Sequence, residues 1–398
     1  MPKATPGENT RLSRRTLLGQ GAGAGALLAA STIGAPYLAI GRHRLFAQSE
    51  ARYSTRAVDL VGDSLVIDML SPLTLASSTM RAWYGNPQNI PESFWNDLDL
   101  SGIDAVLDAV GTGPFGARES VLERVAGVNG VVAHNGHRML RVARAADLDE
   151  AARSGRVGMI FGVQNADHFH SLDDVDYFYG LGQRVSQLTY NARNLIGTGA
   201  TDRIDGGLSN WGVAIIERMN DVGMAVDVSH CGDRTSLDAF EASRKPVLVT
   251  HSNVRALADG HVRCKPDEVI DAVRKAGSVF GVTNIRMFVK ADEPTTVEHY
   301  LDHFDYLTKR IGAEHVGIGS DIDLYGYDDM PKADYERLKA AYQQGKYRFR
   351  DQIDIPEVAH PQRVFDLTEG LIRRGYTDPD IRGILGGNFR RVLEEIWG

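Results

Sequence analysis

The sequence predicts a single (β/α)8 barrel of the TIM type with extended loops at its catalytic face. Short apolar, β-branched runs recur eight times along the chain, amphipathic stretches separate them, and no glycine-rich phosphate loop follows the first run. The third observation weighs against a doubly wound open sheet, which would carry such a loop there. The runs are residues 64–69, 103–110, 157–164, 184–190, 224–230, 246–251, 278–284 and 315–321. Between them, residues 211–220, 267–275 and 297–310 have helical periodicity, the last through Val297, Leu301, Phe304 and then Ile311.

With 398 residues and 43% hydrophobic content the chain has ample material for one large core. No repeat and no Pro/Ser-rich linker divides residues 48–398, which read as one domain. Two long excursions follow strand ends: residues 71–98, with Trp83, Tyr84, Phe94 and Trp95, and residues 324–360, with Tyr325, Tyr327, Tyr335, Tyr342 and Tyr347. Their aromatic side chains either wall the site or pack the loops themselves.

Residues 1–47 form a different segment. Ser13-Arg14-Arg15-Thr16-Leu17-Leu18 precedes a Gly/Ala-rich stretch of modest hydrophobicity, the pattern of a twin-arginine export signal, with cleavage after Ala47 or Ala39. Pro36 and the scarcity of large apolar residues argue against a spanning anchor. The expectation is a folded passenger handed to the twin-arginine machinery and delivered to the periplasm or beyond. The formal charge of −8 becomes −13 without this segment, which removes six basic residues and one acidic one. So acidic a surface excludes nucleic acid as the natural partner. Cys231 and Cys264 are the only cysteines, too few for a disulfide scaffold though enough for one bridge, and Cys231 reads better as a small buried residue than as a soft metal ligand.

The chemistry gathers at strand ends. Asp227-Val228-Ser229-His230 and Val249-Thr250-His251-Ser252 each close an apolar run with a histidine, and Gly317-Ile318-Gly319-Ser320-Asp321 closes one with an aspartate. In a barrel such ends converge on one face, where imidazole and carboxylate ligands hold a divalent metal at about 2.0 to 2.2 Å. His230 and His251 end consecutive strands and are expected side by side. Asp321 suits proton transfer from an activated water to a leaving amine. The competing reading leaves the two histidines as core residues satisfied by hydrogen bonds.

Residues 223–230, 245–252 and 315–321 resemble three signature strands of the renal-type membrane dipeptidases, and Gly386-Gly387-Asn388-Phe389-Arg390-Arg391-Val392 is similar to their C-terminal signature. The likeness runs in order from about residue 60 to the end. It implies an amidohydrolase-type barrel with two zinc ions that cleaves dipeptides. It assigns His230 and His251 to the second metal, Asp321 to acid/base work with Asp323 as the lesser candidate, and Arg263 to the substrate carboxylate.

Departures cluster at the first metal. Where the family has a His-x-Asp pair this chain has Val66-Ile67-Asp68; the bridging glutamate falls at Gln164, and the substrate-side histidine at Tyr190. Valine cannot ligate, and a neutral amide contributes no charge to offset a second dication. The Tyr190 hydroxyl can still donate to a developing oxyanion. The expected metal set is therefore His230, His251, Asp68 and Gln164 around one divalent ion per chain, zinc or another, with a second ion only after Val66→His and Gln164→Glu. Tyr190 and Arg263 are expected to contact substrate.

His299 and His303, four apart on a helix, lack the glutamate of a metalloprotease motif and read as packing or solvated residues. His168 and His170 are candidates to compensate for Val66, and His261 to touch substrate. The leading expectation is an exported dipeptidase-like metallohydrolase acting on a small peptide or amide. The alternative is an altered or inactive barrel that binds a peptide-derived ligand during periplasmic maturation. A homodimer is compatible with either.

Overall fold

The computed structural model describes residues 53–343, apart from Thr112 and Pro114, and residues 350–398. The segment read as an export signal lies outside these residues. The strands are β1 (Ile67–Asp68), β2 (Ala105–Gly111), β3 (Met139–Arg141), β4 (Val157–Gln164), β5 (Gln183–Gln187), β6 (Ala225–Asp227), β7 (Val247–Ser252), β8 (Phe280–Val282) and β9 (Val316–Ile318). All pair in parallel. The ring closes because β2 pairs with both β1 and β4 while β1 pairs with β9, giving the order β1-β2-β4-β5-β6-β7-β8-β9.

Each of the eight sequence runs overlaps one strand of this ring, so the (β/α)8 barrel stands. The addition is β3, which pairs with Val157 to Met159 at the start of β4, below the point at Phe161 where β5 joins. Three residues that run from buried to exposed carry no period to detect.

Helices alternate with the strands. α1 (Asn210–Val222) starts where the Ser209 hydroxyl caps Gly212 and stops at Gly223, whose φ of 80° suits a residue without Cβ. α2 (Asp267–Lys275) and α3 (Val297–Ile311) occupy the expected stretches, α3 burying Leu301, Phe304 and Ile311. α4 (Arg363–Arg373) packs outside the ring, and α5 (Asn388–Trp397) ends the chain.

Side chains alternate across each strand, so one face fills the barrel and the other meets the helices. Leu107, Ala109, Ile160, Val185, Ala225, Leu248 and Val279 fill the inside, joined by Phe389 and Val392 of α5. Phe389 sits against Gly317 near the start of β9, so α5 closes the end opposite the strand tips.

Both excursions pack on themselves and on each other. Trp83 and Phe94 meet at a tilt with ring centroids 5.0 Å apart, Phe94 and Trp95 edge to face at 5.3 Å, and the Tyr325 hydroxyl donates to Asp97 at 2.8 Å across the two loops. Cys231 and Cys264 are both free and buried, so the conceivable bridge is not formed. Among the described residues no helix is long and apolar enough to cross a membrane.

Candidate active site

The site begins with a buried carboxylate. Asp227, at the end of β6, accepts the Ser229 amide at 3.0 Å, the Ser229 hydroxyl at 2.6 Å and the Thr250 amide at 3.1 Å on one oxygen. Its other oxygen takes the Thr250 hydroxyl at 2.8 Å. These bonds turn the chain out of the ladder, which is why β6 stops at Asp227 and His230 stands free beyond it.

Thr250 has one hydroxyl proton, and Asp227 holds it. While Asp227 is ionised, against the burial that raises its carboxyl, the Thr250 oxygen, 2.8 Å from His251 Nδ1, accepts, which places a proton on that nitrogen. His230 Nδ1 lies 2.7 Å from Asn191 Oδ1, an acceptor, so it too carries its proton. Both histidines are left with a lone pair on Nε2, and these two atoms face each other at 3.0 Å. Burial, then the nearby Arg263, holds both rings well below the ordinary histidine range, so protonation does not relieve the repulsion near neutral pH. A divalent ion would, with His230 and His251 as the residues that would hold it, and Nδ1 bonds of this kind keep such imidazoles in register.

Two imidazole nitrogens are all that the described residues bring together, short of the set that a two-zinc site needs. Among the described residues no third histidine, cysteine or carboxylate joins the pair to make a metal cluster. Asp68 is withdrawn as a ligand. Ile67, Met69 and Leu70 belong to the cluster that fills the barrel, and alternation turns Asp68 toward the helices. There its carboxylate accepts the Ser320 amide at 2.9 Å and the Leu70 amide at 3.2 Å, and forms a buried ion pair with Arg363 of α4 at 3.0 Å. Val66 is buried in the outer core. Gln164 reaches the tip of β4 but donates its amide to the Ala109 carbonyl at 3.0 Å.

Tyr190 takes up the room on that side. Its ring stacks on His230 at 4.3 Å and 22°, and a Cβ at Gly111, the register partner of Gln164, would stand 2.8 Å from it. Asp321 lies just beyond β9 with φ at 64°, a strained conformation for a residue with a side chain. Burial pushes its carboxyl up to about 7, Arg263 opposing and Asp68 adding to the rise. At that value it can both take and give a proton near neutral pH. Asp323 instead accepts the amides of Leu75, Tyr325 and Gly326, a loop-shaping role.

Arg263 is 1% exposed beside the histidines. Its Nη1 donates to the Ser229 carbonyl at 2.5 Å and its Nη2 to the His251 carbonyl at 3.0 Å, while its Nε–H finds no partner among the described residues. An orphaned buried donor costs about 1 to 3 kcal/mol until an acceptor arrives.

The remaining histidines serve elsewhere. His168 bonds Asn165 and Gln183, so it does not compensate for Val66, and exposed His170 makes no approach to the site. His303 bonds Val254 and Val289, His299 caps its own helix, and His261 accepts the Arg263 amide. The sequence reading missed Asn191, Asp227 and Thr250 as orienting groups. The signal for two of them was there: a polar residue inside an apolar strand needs a partner.

A closed parallel barrel with two facing imidazoles, a carboxyl pushed up to about 7 and an arginine with an unpaired Nε–H at its strand tips is the framework of a metal-dependent amide hydrolase. Residues 74–342 match the membrane dipeptidase family, peptidase family M19, and the chain belongs to it. The dipeptidase verJ of Clonostachys rogersoniana is 29% identical over 301 residues, 74% of this chain and 68% of that protein. An amidohydrolase from Pseudomonas aeruginosa superposes with a TM-score of 0.73 at 28% identity, covering 86% of this chain and 99% of that one. A Rhodobacter sphaeroides metallopeptidase, liganded with a phosphinate mimic of L-Ala-D-Ala, shares the fold at 18% identity and a TM-score of 0.64, over 83% of this chain and 99% of its own.

Proposed function

We propose that the chain is an exported dipeptidase that hydrolyses a small peptide or amide bearing a free carboxylate, with one divalent ion, zinc by preference, on His230 and His251. The facing Nε2 lone pairs beside the orphaned Arg263 Nε–H carry this reading. A divalent ion there supplies Lewis acidity, acidifying a water and polarising the scissile carbonyl. The protein does the rest. Arg263 receives the substrate carboxylate on its free edge, the Tyr190 hydroxyl donates toward the developing oxyanion, and Asp321 takes the proton from the attacking water and returns it to the leaving amine.

Charge-assisted hydrogen bonds contribute about 1.5 to 3 kcal/mol, so L-Ala-D-Ala is expected to bind at least about tenfold more tightly than its C-terminal carboxamide. Calorimetry on both ligands measures this. Equal affinity would take the carboxylate away from Arg263.

The scarcity of protein ligands favours a second reading, a barrel that holds a peptide-derived ligand without cutting it; a metal-loaded protein that binds L-Ala-D-Ala and releases no alanine would select it. For export, Arg14→Lys together with Arg15→Lys is expected to leave the protein in the cytoplasmic fraction. Unchanged periplasmic delivery would point to another route.

A further inference from the structure

We propose that Asp68 is a positioning residue for Asp321, a buried clamp that fixes the left-handed turn presenting that carboxyl to the site. This rests on Asp321 as the proton-moving group of the function proposed above and on no bound ion. Asp321 stands at the strand tips with φ at 64°, and among the described residues no hydrogen bond holds its carboxyl. The direction of the side chain is therefore set by its backbone. A left-handed conformation is strained for aspartate and persists only where the surroundings force it.

Asp68, fully buried on the helix side of the ring, supplies that force. One carboxylate oxygen accepts the amides of Ser320 at 2.9 Å and Leu70 at 3.2 Å, and the Leu70 carbonyl accepts the Asp321 amide at 2.9 Å. These bonds close a ring through Asp68, Leu70, Ser320 and Asp321 that surrounds the turn. The Ser320 carbonyl is pinned from the other side, by the Thr283 hydroxyl at 3.0 Å and the Asn284 amide at 3.3 Å just past β8. The second Asp68 oxygen is held by Arg363 Nη2 at 3.0 Å, and Arg363 is itself anchored on the Ser71 hydroxyl at 3.0 Å and the Asp323 carbonyl at 3.1 Å. A neutral oxygen would satisfy the two amides; the charge adds a second effect. Burial pushes the Asp321 carboxyl up, Arg263 opposing and Asp68 adding to the rise, while Arg363 of α4 and buried Tyr300 of α3 face Asp68 in turn. Asp68 thus aims the group and helps it keep a proton near neutral pH.

The test follows isotope-labelled aspartate carboxyls by NMR in full-length, metal-free protein, the Asp321 signal being identified by its loss in Asp321→Asn. In the unmodified protein that signal is expected to titrate at about 7. Asp68→Ala removes both clamp and charge and should lower the midpoint by roughly 1 to 3 pH units, toward the ordinary carboxylate range. Asp68→Asn keeps an oxygen for the two amides and should lower it by less. A folded Asp68→Ala with a reduced melting temperature and an unmoved Asp321 midpoint would leave Asp68 a staple of the strand pairing alone and overturn the assignment. Should Asp68→Ala not fold, Asp68→Asn decides alone: a fallen midpoint supports the clamp, and an unmoved one refutes it. An unmodified Asp321 that titrates with ordinary carboxylates ends its proton-moving role and this proposal together. Variants that match an unmodified protein titrating as expected end only this proposal, and a responsive Asp321 in a protein that cuts no L-Ala-D-Ala ends only the hydrolytic reading.

Discussion

Replacing His251 by alanine is expected to empty the site of metal and to lower kcat/KM for L-Ala-D-Ala by more than the about 10- to 100-fold that disturbing an outer-shell partner costs. With only two protein nitrogens facing each other at 3.0 Å, loss of one leaves His230 Nε2 alone, and a single imidazole does not retain a dication through dialysis. The same change leaves the Thr250 oxygen without the His251 Nδ1 proton, although Asp227 still orders Thr250. Elemental analysis after dialysis against metal-free buffer, followed by steady-state rates, measures both effects. Metal retained at the level of the unmodified protein would show that the ion sits elsewhere.

The second large effect is structural and comes from a single methyl group. A Cβ on Gly319 would stand 1.8 Å from the Thr250 carbonyl oxygen and 3.1 Å from His251 Cα. Thr250 is held where it is, its amide and hydroxyl on Asp227 and its neighbours Val249 and Ser252 paired with β8. Overpacking of well-filled interiors usually costs about 1 to 3 kcal/mol, and a collision with paired backbone belongs above that range. Gly319→Ala is therefore expected to lose more than about 3 kcal/mol and to displace His251. Gly62, in the helix Thr55–Asp63, has nothing within 4 Å of its would-be Cβ, so Gly62→Ala is the control, neutral or stabilising by roughly 0.5 to 1 kcal/mol. Equal melting temperatures for the two variants would contradict the close approach.

The barrel was legible because burial imposes apolar residues on strands wherever they occur, and the same rule located eight of the ring's strands from their composition. Their ends were less legible. The run 224–230 reads as strand to His230, whereas the bonds to Asp227 stop β6 three residues sooner. A histidine at the end of an apolar run is visible in sequence; the turn that frees it is not. Asp68 teaches the opposite lesson. Family likeness drew it into the site, although simple alternation beside Ile67 and Met69 already turned it away, toward Arg363. The left-handed backbone of Asp321 left no trace in local pattern, since its amide is held by the Leu70 carbonyl from a segment distant in the chain.

The seam between β1 and β9 has a bearing on how the chain must be made. Asp68 pairs with Ile318, Met69 donates to the Ile318 carbonyl at 2.8 Å, and the Asp68 carboxylate meets Ser320 and Arg363, which stand 252 and 295 positions further along the chain. Both histidines lie between the two sides of this seam. During synthesis the growing sheet consequently carries two bare edges until its last third has emerged, and such edges invite pairing with other chains. Closing so long a loop adds little entropy cost beyond that of a shorter one, but contacts this remote slow the search for the native ring. A nascent chain ended before Val316 would thus keep both edges bare, an aggregation hazard and not a partly working enzyme.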